Sequence, residues 1–423
     1  MNSLYSNLSR NSLSRALRLR EAAIMVFRDP VPVEYTRLMH LARKDWEDLL
    51  RWLDTSGLAL YFFDRLRELN LLQVLPSPVL ARLRQNLADN SERIDEMITE
   101  SVAIQHRFQE AGISYAVLKG FSLWPISVPK LELRSQLDLD FLVAEESADT
   151  ARKTLEGFGY RLNAISGQSW EFKASGDEPS SLESLYKKGQ SRSAELHVEL
   201  ANRFRPSLLS RTHNVGFRDV LMPVLSPVDL FLGQGQHLYK HVCSEFSRTA
   251  HIIEFRQHVI TRYGDRSFWS SVQQQASSDL QTRMQIGVVI LLITRVMGPF
   301  APEALTRWTV DQLPSPVCRW VDRYGLRTAL MSFPGSKLYL LLQKELSAAG
   351  MPSKRTLRQA LLPRSLPPAI THAVAGEGLL ARLLRYREEV RFIFFRLRFH
   401  LLEGVRYFCE SILWQRYRNG ASQ

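Results

Sequence analysis

Two aspartates one residue apart, Asp138 and Asp140 in Leu137-Asp-Leu-Asp-Phe-Leu-Val143, have types and spacing suited to chemistry. The run alternates apolar and polar, the period of a β-strand. Both carboxylates therefore leave one face, about 7 Å apart along the strand. Leu137, Leu139, Phe141 and Val143 are expected on the other face, in a core. Two acids held side by side repel. A divalent cation compensates, and hard oxygen ligands select Mg²⁺ or Mn²⁺. A half-exposed edge strand with two solvated acids has the same pattern.

The surrounding residues add a second layer. Ile113-Ser-Tyr-Ala-Val-Leu-Lys-Gly120 reads as a short buried strand ending in glycine, followed by a helix start at Phe121-Ser-Leu-Trp124. Glycine at such a junction lets backbone N–H groups approach a phosphate. Lys119 and Ser122 would supply a cation and a hydroxyl, although a lysine at a strand end is ordinarily solvated. Arg134 sits just ahead of the acidic strand. Downstream, Ser193-Ala-Glu-Leu-His-Val-Glu-Leu200 alternates again and puts Glu195, His197 and Glu199 on one face. Glu195 would complete a metal site or take the proton of an attacking hydroxyl. His197 competes for that role or binds a phosphate oxygen, and Glu199 is expected beyond the site, solvated.

Leu-Lys-Gly120, then Arg134, then Asp-Leu-Asp140, then Glu-Leu-His197 together resemble the nucleotidyltransferases of the polymerase-β-like superfamily, and most of all a bacterial branch of largely uncharacterised members. The resemblance covers residues 106–205 well and extends more weakly to 260. It implies an α+β fold, a small mixed sheet with helices packed on it. It implies that Asp138, Asp140 and Glu195 are the metal ligands. The superfamily's commoner Gly-Ser phosphate turn is replaced here by Lys119-Gly120 before Phe121-Ser122.

His237 and His241 lie four apart on an expected helix, with Glu245 one turn on, a spacing able to hold Zn²⁺. There is no His-Glu-x-x-His pattern and no evident further ligand. The expectation is a polar helix face lining the nucleotide cleft or packing on the core, and the resemblance implies that His237 or His241 touches substrate. No Ser-His-Asp or Cys-His signature, Walker loop or Gly-x-Gly-x-x-Gly is found.

The 423 residues suggest two or three structural units, and 45% hydrophobic residues can bury a sizeable core. The expected division is a helical region over 1–105, the transferase core over 106–205, a helical domain over 206–350, and a basic linker and C-terminal helix over 351–423. Helical spacing runs through 35–110, with a long helix over 79–110. Strands are expected at 114–118, 137–143, 159–163, 168–173 and 193–200, with helices at 120–125 and 146–158 and a loop at 176–181. Ser226-Pro227 starts a further helical run over 228–345; residues 350–370 read as a linker and 379–417 as a long helix. Three dispersed cysteines fit no disulfide framework and suit a reducing, cytoplasmic setting. The apolar run Ile286–Ile293 is too short to span a bilayer and reads as a buried helix.

The net charge of +12 is carried by the ends. Residues 1–28 hold five arginines against one glutamate, and residues 351–423 hold thirteen Lys/Arg against five glutamates, or +4 and +8. Such ends suit an anionic partner or simply solvated helix faces. In the last helix, Arg382, Arg385, Arg391, Arg396 and Arg398 interleave with Leu383, Leu384, Phe392, Phe394, Phe395 and Phe399. One side must be buried, and packing on the core with the arginines turned toward an anionic acceptor is favoured over a membrane-surface position.

The function expected is Mg²⁺- or Mn²⁺-dependent transfer of a nucleoside monophosphate from a nucleoside triphosphate, ATP among them, to an acceptor hydroxyl on a sugar, metabolite, protein side chain or RNA. Two alternatives stand beside it: a catalytically inactive binding protein of the same fold, and an RNA-binding or RNA-modifying protein using its basic ends.

Overall fold

The computed structural model describes residues 14–174, 185–188, 192–200, 206–244, 248–331, 335–352, 356–361 and 379–420. The chain opens with helices α1 (Ser14–Met25), α2 (Arg43–Thr55), α3 (Ala59–Glu68) and α4 (Ser77–Glu110). Seven strands follow: β1 (Tyr115–Leu118), β2 (Asp138–Ala144), β3 (Tyr160–Ser166), β4 (Ser169–Ala174), β5 (Ser193–Glu199), β6 (Thr212–Phe217) and β7 (Val220–Leu225). Helix α5 (Ala148–Gly157) links β2 to β3. After the sheet come α6 (Pro227–Val242), α7 (Ala250–Thr261), α8 (Arg266–Ala276), α9 (Leu280–Met297), several short helical turns, α10 (Tyr339–Ala348) and α11 (Leu379–Gly420). The fold is α+β, a mixed sheet carried among helices.

The sheet order is β3-β4-β5-β2-β1-β7-β6. β2 runs parallel to β5 and β1 parallel to β7, while β1 and β2 are antiparallel. One face is buried by the second half of α4, through Ile94, Ile98, Val102 and Phe108, and by Ala151 and Leu155 of α5. Leu139, Phe141, Val143, Leu196 and Val198 meet them from the sheet. Leu137 departs from the expected pattern: it precedes the strand and is 43% exposed. The opposite face is not simply solvent, for Ala116, Leu142 and Leu225 are buried against Leu208, Leu209 and Leu230. β2 is therefore a central strand covered on both faces, not an edge.

The hairpin β6–β7 was not foreseen. Pro223 reads as a strand breaker. β7 meets β1 at a single register pair, Val117 with Val224, so Pro223 interrupts little of that ladder. The helix at 120–125 is a four-residue 3₁₀ turn, Gly120–Leu123. The start at Ser226 is as expected: its hydroxyl accepts the Asp229 N–H at 3.1 Å, with Pro227 in the first turn. The loop at 176–181 and residues 353–355 and 362–370 of the expected linker lie outside the described residues, while Leu357–Leu361 forms a short helix.

A second, larger core joins α1–α3 and the start of α4 to α6–α10. Val79 and Leu83 of α4 belong to it while Ile94 to Phe108 belong to the sheet core, so this one helix ties the two together. α9 is long and apolar enough to cross a membrane by composition, yet 72% of its apolar window is buried inside the protein, and residues 286–293 are all buried.

α11 rests on this body along a narrow stripe. Arg396, Phe399, His400, Tyr407 and Trp414 are buried. Trp414 Nε1 donates to Glu345 Oε1 at 2.8 Å, and Glu403 accepts the Ser336 hydroxyl at 2.8 Å and the Lys337 N–H at 3.0 Å. The helix packs on the core as expected, with Arg396 pointing in and Arg391 and Arg398 exposed. The exposed face also carries an apolar stripe: Val390, Phe394, Leu397, Leu401, Val405, Phe408 and Ile412 are each at least 45% exposed at three- and four-residue spacing. The side chains of Arg382, Leu384 and Arg385 lie outside the described residues.

Close to the sheet, His258 of α7 fixes the loop after β1. Its Nδ1 lies 3.0 Å from both Ser127 Oγ and Gln234 Oε1, between the rings of Phe231 and Phe268. Burial, helped by the charge of Arg262, lowers its pKa from 6.5 to about 3. Such a group stays neutral when folded but protonates in the unfolded chain, so its contribution to stability is lost as pH falls from about 6.5 toward 3. Replacing His258 with Gln should reduce the slope of unfolding free energy against pH in that window by about one proton. Denaturant titrations at several pH values measure it; His237 and His251, also lowered by burial, keep the remaining slope in the variant.

Candidate active site

Three adjacent central strands present the candidate residues in register. Leu118, Asp140 and Glu195 form one row across β1, β2 and β5, and Leu142 and His197 form the next. Paired strands lie about 4.8 Å apart, so Asp140 and Glu195 are forced together. Asp140 is 3% exposed. The repulsion is relieved by Lys119, which leaves the end of β1 with φ 47° and turns back over the row. Its Nζ lies 2.7 Å from Asp140 Oδ1, 3.6 Å from Glu195 Oε2 and 3.5 Å from His197 Nε2. Lys119 is thus inside the acidic cluster and not a solvated strand end.

His197 closes the knot, its Nε2 lying 3.1 Å from Asp140 Oδ1 and 3.3 Å from Glu195 Oε2. Burial would lower its pKa, but hydrogen bonds to Asp140 and Glu195 outweigh that and raise it to about 9. Glu195 is held well below the usual carboxylate range, first by the hydrogen bond from His197 and then by that from the Ser169 hydroxyl and the charge of Lys119. Ser169, on β4, is a site residue that no sequence signal identified; only the β4–β5 pairing brings it there. Asp140, Glu195 and His197 each offer a ligand atom within 4.8 Å of the others.

Asp138 stands one step outward. It lines a cleft of about 200 Å³ with Ser169, Glu171, Ser193 and Glu195. Its pKa is raised by burial and then by Asp140, partly offset by Arg134 and Lys119. The Gln136 amide donates to the Asp138 carbonyl at 2.8 Å, and Arg134 donates to Gln136 Oε1 at 3.2 Å. Arg134 is itself buried, with Nε 3.0 Å from Glu254 Oε1. Ser122 is buried and donates to the Lys119 carbonyl at 2.7 Å, so its hydroxyl closes the turn that aims Lys119. Glu199 departs from the solvated role expected of it: it accepts the Leu208 and Leu209 N–H groups at 2.6 and 3.2 Å.

The two helical histidines have company. His237 and His241 of α6 lie with Nε2 atoms 3.1 Å apart, and His251 of α7 joins them at ring-centroid distances of 5.0 and 4.8 Å. Glu245 lies outside the described residues. His237 is lowered mainly by burial, and it also feels the charges of His251, His241 and Lys119, which puts this cluster within electrostatic reach of the sheet site.

Gly120 has a steric reason to be glycine. Its φ is +35°, and an added Cβ would lie 2.3 Å from Gln136 Nε2. Gln136 cannot swing aside without losing its bonds to Asp138 and Arg134. Gly120→Ala should cost about 1–3 kcal/mol in chemical denaturation, the range for overpacking. Adding Gln136→Ala should return part of the loss; no recovery would mean that backbone strain and not the clash is responsible.

Among known proteins, the family model described as uncharacterised nucleotidyltransferase matches residues 42–298, more than half of the chain. No curated protein matches it. The matched span runs from α2 through α9 and includes every strand and both side-chain clusters. The chain therefore belongs to the uncharacterised nucleotidyltransferase family.

Proposed function

We propose that this protein transfers a nucleoside monophosphate from a nucleoside triphosphate to an acceptor hydroxyl, which attacks the α-phosphorus and releases pyrophosphate, with Mg²⁺ or Mn²⁺ bound by Asp138, Asp140 and Glu195. The observation that carries the reading is the buried row Asp140–Glu195 with Asp138 at its mouth. The donor set fits a divalent cation. Three acids face two cations, Lys119 and a protonated His197, which leaves one negative charge for an incoming ion. When bound, the cation would lower the pKa of the acceptor hydroxyl and neutralise charge on the phosphates.

The chain's own groups divide the rest. Lys119 is poised to exchange Asp140 for a phosphate oxygen. Ser169 and His197 orient Glu195, which completes the ligand set or takes the hydroxyl proton. Arg134 positions Asp138 through Gln136 from behind. Three free thiols, Cys243, Cys318 and Cys409, support a reducing cytoplasmic setting.

One observation favours a second reading, a nucleotide-binding protein without turnover: the 2.7 Å Lys119–Asp140 ion pair already neutralises a ligand. A screen of four α-labelled triphosphates with Mg²⁺ or Mn²⁺, following the label into acceptor, separates the two. Transfer should appear, vanish in Asp138→Asn and Asp140→Asn, and fall far more in Glu195→Gln than in His197→Gln; general-base loss alone is worth about 10²–10⁴-fold. Cation-independent triphosphate binding without label transfer would establish the second reading instead.

The exposed face of α11 supports an anionic partner for the basic end. Arg387, Arg391, Arg398 and Arg416 are exposed beside the apolar stripe, while Glu403 and Glu410 are turned to the body. An apolar stripe flanked by arginines matches the boundary of an anionic membrane. Vesicles containing phosphatidylserine should sediment the full chain, and neutral vesicles should not. Replacing Phe394, Leu401 and Phe408 with Ser should release it; equal sedimentation of the variant would assign the binding to the arginines alone, and no sedimentation of the full chain would assign the charge to solvated faces.

A further inference from the structure

Outside the sheet site, the described residues hold one other group of side chains with metal-ligand geometry: His237, His241 and His251. The first two come from successive turns of α6 and the third from the first turn of α7. Each offers a ring nitrogen within 4.8 Å of the others, and the 3.1 Å between the Nε2 atoms of His237 and His241 is close to what one ion requires. With Zn–N bonds of about 2.0–2.1 Å, two tetrahedral ligands stand about 3.3 Å apart.

The surroundings match a built site. His251 Nδ1 lies 3.2 Å from Glu254 Oε2, which fixes the proton on Nδ1 and leaves Nε2 as the free donor. Glu254 is 2% exposed and remains a carboxylate because Arg134 at 3.0 Å, with His251, offsets its burial. Its Oε1 also accepts the Tyr61 hydroxyl at 3.2 Å. Glu254 is thus a rigid second layer behind the histidine. Burial keeps His237 and His251 neutral at pH 7, the form that ligates. A purely hydrogen-bonded histidine cluster would account for the His237–His241 contact, but it leaves unexplained a third imidazole set by its own buried carboxylate.

We propose that His237, His241 and His251 bind one zinc-type transition-metal ion, with Glu254 orienting His251. Three imidazoles suit Zn²⁺ and the neighbouring late transition metals, unlike the oxygen-rich sheet site. The ion would pin α6 to α7. Through Glu254, Arg134 and Gln136 it would also brace the backbone of Asp138. The proposal is independent of the transfer reaction.

The test uses full-length protein stripped with chelator and returned to metal-free buffer. Equilibrium dialysis against Zn²⁺, read by elemental analysis, should give one equivalent bound at the histidine site. Co²⁺ should give the visible absorption of a tetrahedral site, displaced by Zn²⁺. His237→Ala and the near-isosteric His251→Asn should abolish the Co²⁺ spectrum, with circular dichroism reporting the fold. Glu254→Gln should weaken Zn²⁺ binding about 10–100-fold. Asp140→Asn should leave the Co²⁺ spectrum intact, which separates this site from the sheet. Absence of saturable Zn²⁺ and Co²⁺ binding in the folded wild-type protein would overturn the proposal, as would an unchanged Co²⁺ spectrum in folded His251→Asn.

Discussion

The molecule is organised around a carboxylate that should not be where it is. Asp140 is almost fully buried on a central strand, and the parallel register with β5 sets Glu195 beside it. Burying one unpaired charge is expensive, and two of like sign more so. Lys119 and His197 offset that cost from the next strand and the next row. Much of the local structure serves this arrangement. The positive φ at Lys119, the glycine after it and the Ser122 bond to its carbonyl all aim one ammonium group at one carboxylate oxygen.

A second buried ion pair connects the sheet to the helices. Arg134 and Glu254 meet across 120 residues of chain, where the approach to β2 passes under α7. Arg248 adds a bond to the Ser135 carbonyl at 2.7 Å. Removing one member of such a pair strands the other, so neither element can move alone without a large penalty. The linkage gives the helical body a direct mechanical hold on the residues that precede Asp138. The helices thus do more than cover the sheet: they determine where its acidic end sits.

The two cores divide labour in the same sense. The sheet core, under α4 and α5, is apolar and positions strands. The larger helical core is continuous from α1 to α10 and leaves α11 to lie along its surface, where Trp414 and Tyr407 reach in. That helix sends some polar groups inward, to Glu345, Lys337 and Tyr324, beside Phe399, Tyr407 and Trp414, and presents an apolar stripe outward among exposed arginines.

The period-two runs around Asp138 and Glu195 were legible in the chain, because alternation is a local property and each run carries its own face. So were the start of α6 at Ser226-Pro227, the buried α9 and the long α4, each set by caps, composition and spacing within one element. The family's motifs could likewise be read in order. Which residues share a site was not legible. Lys119, Ser169 and His251 join their clusters only through strand pairing and helix packing across distant segments. Arg134 and Ser122, which look like substrate contacts in sequence, are taken up by Glu254 and by a turn carbonyl. Leu137 falls outside the core because the strand begins one residue later than its hydrophobic pattern does. Sequence by itself determined which side chains leave the same face of one element. The tertiary structure alone decided what stands opposite that face, because the energy of a buried charge depends on partners tens of residues away.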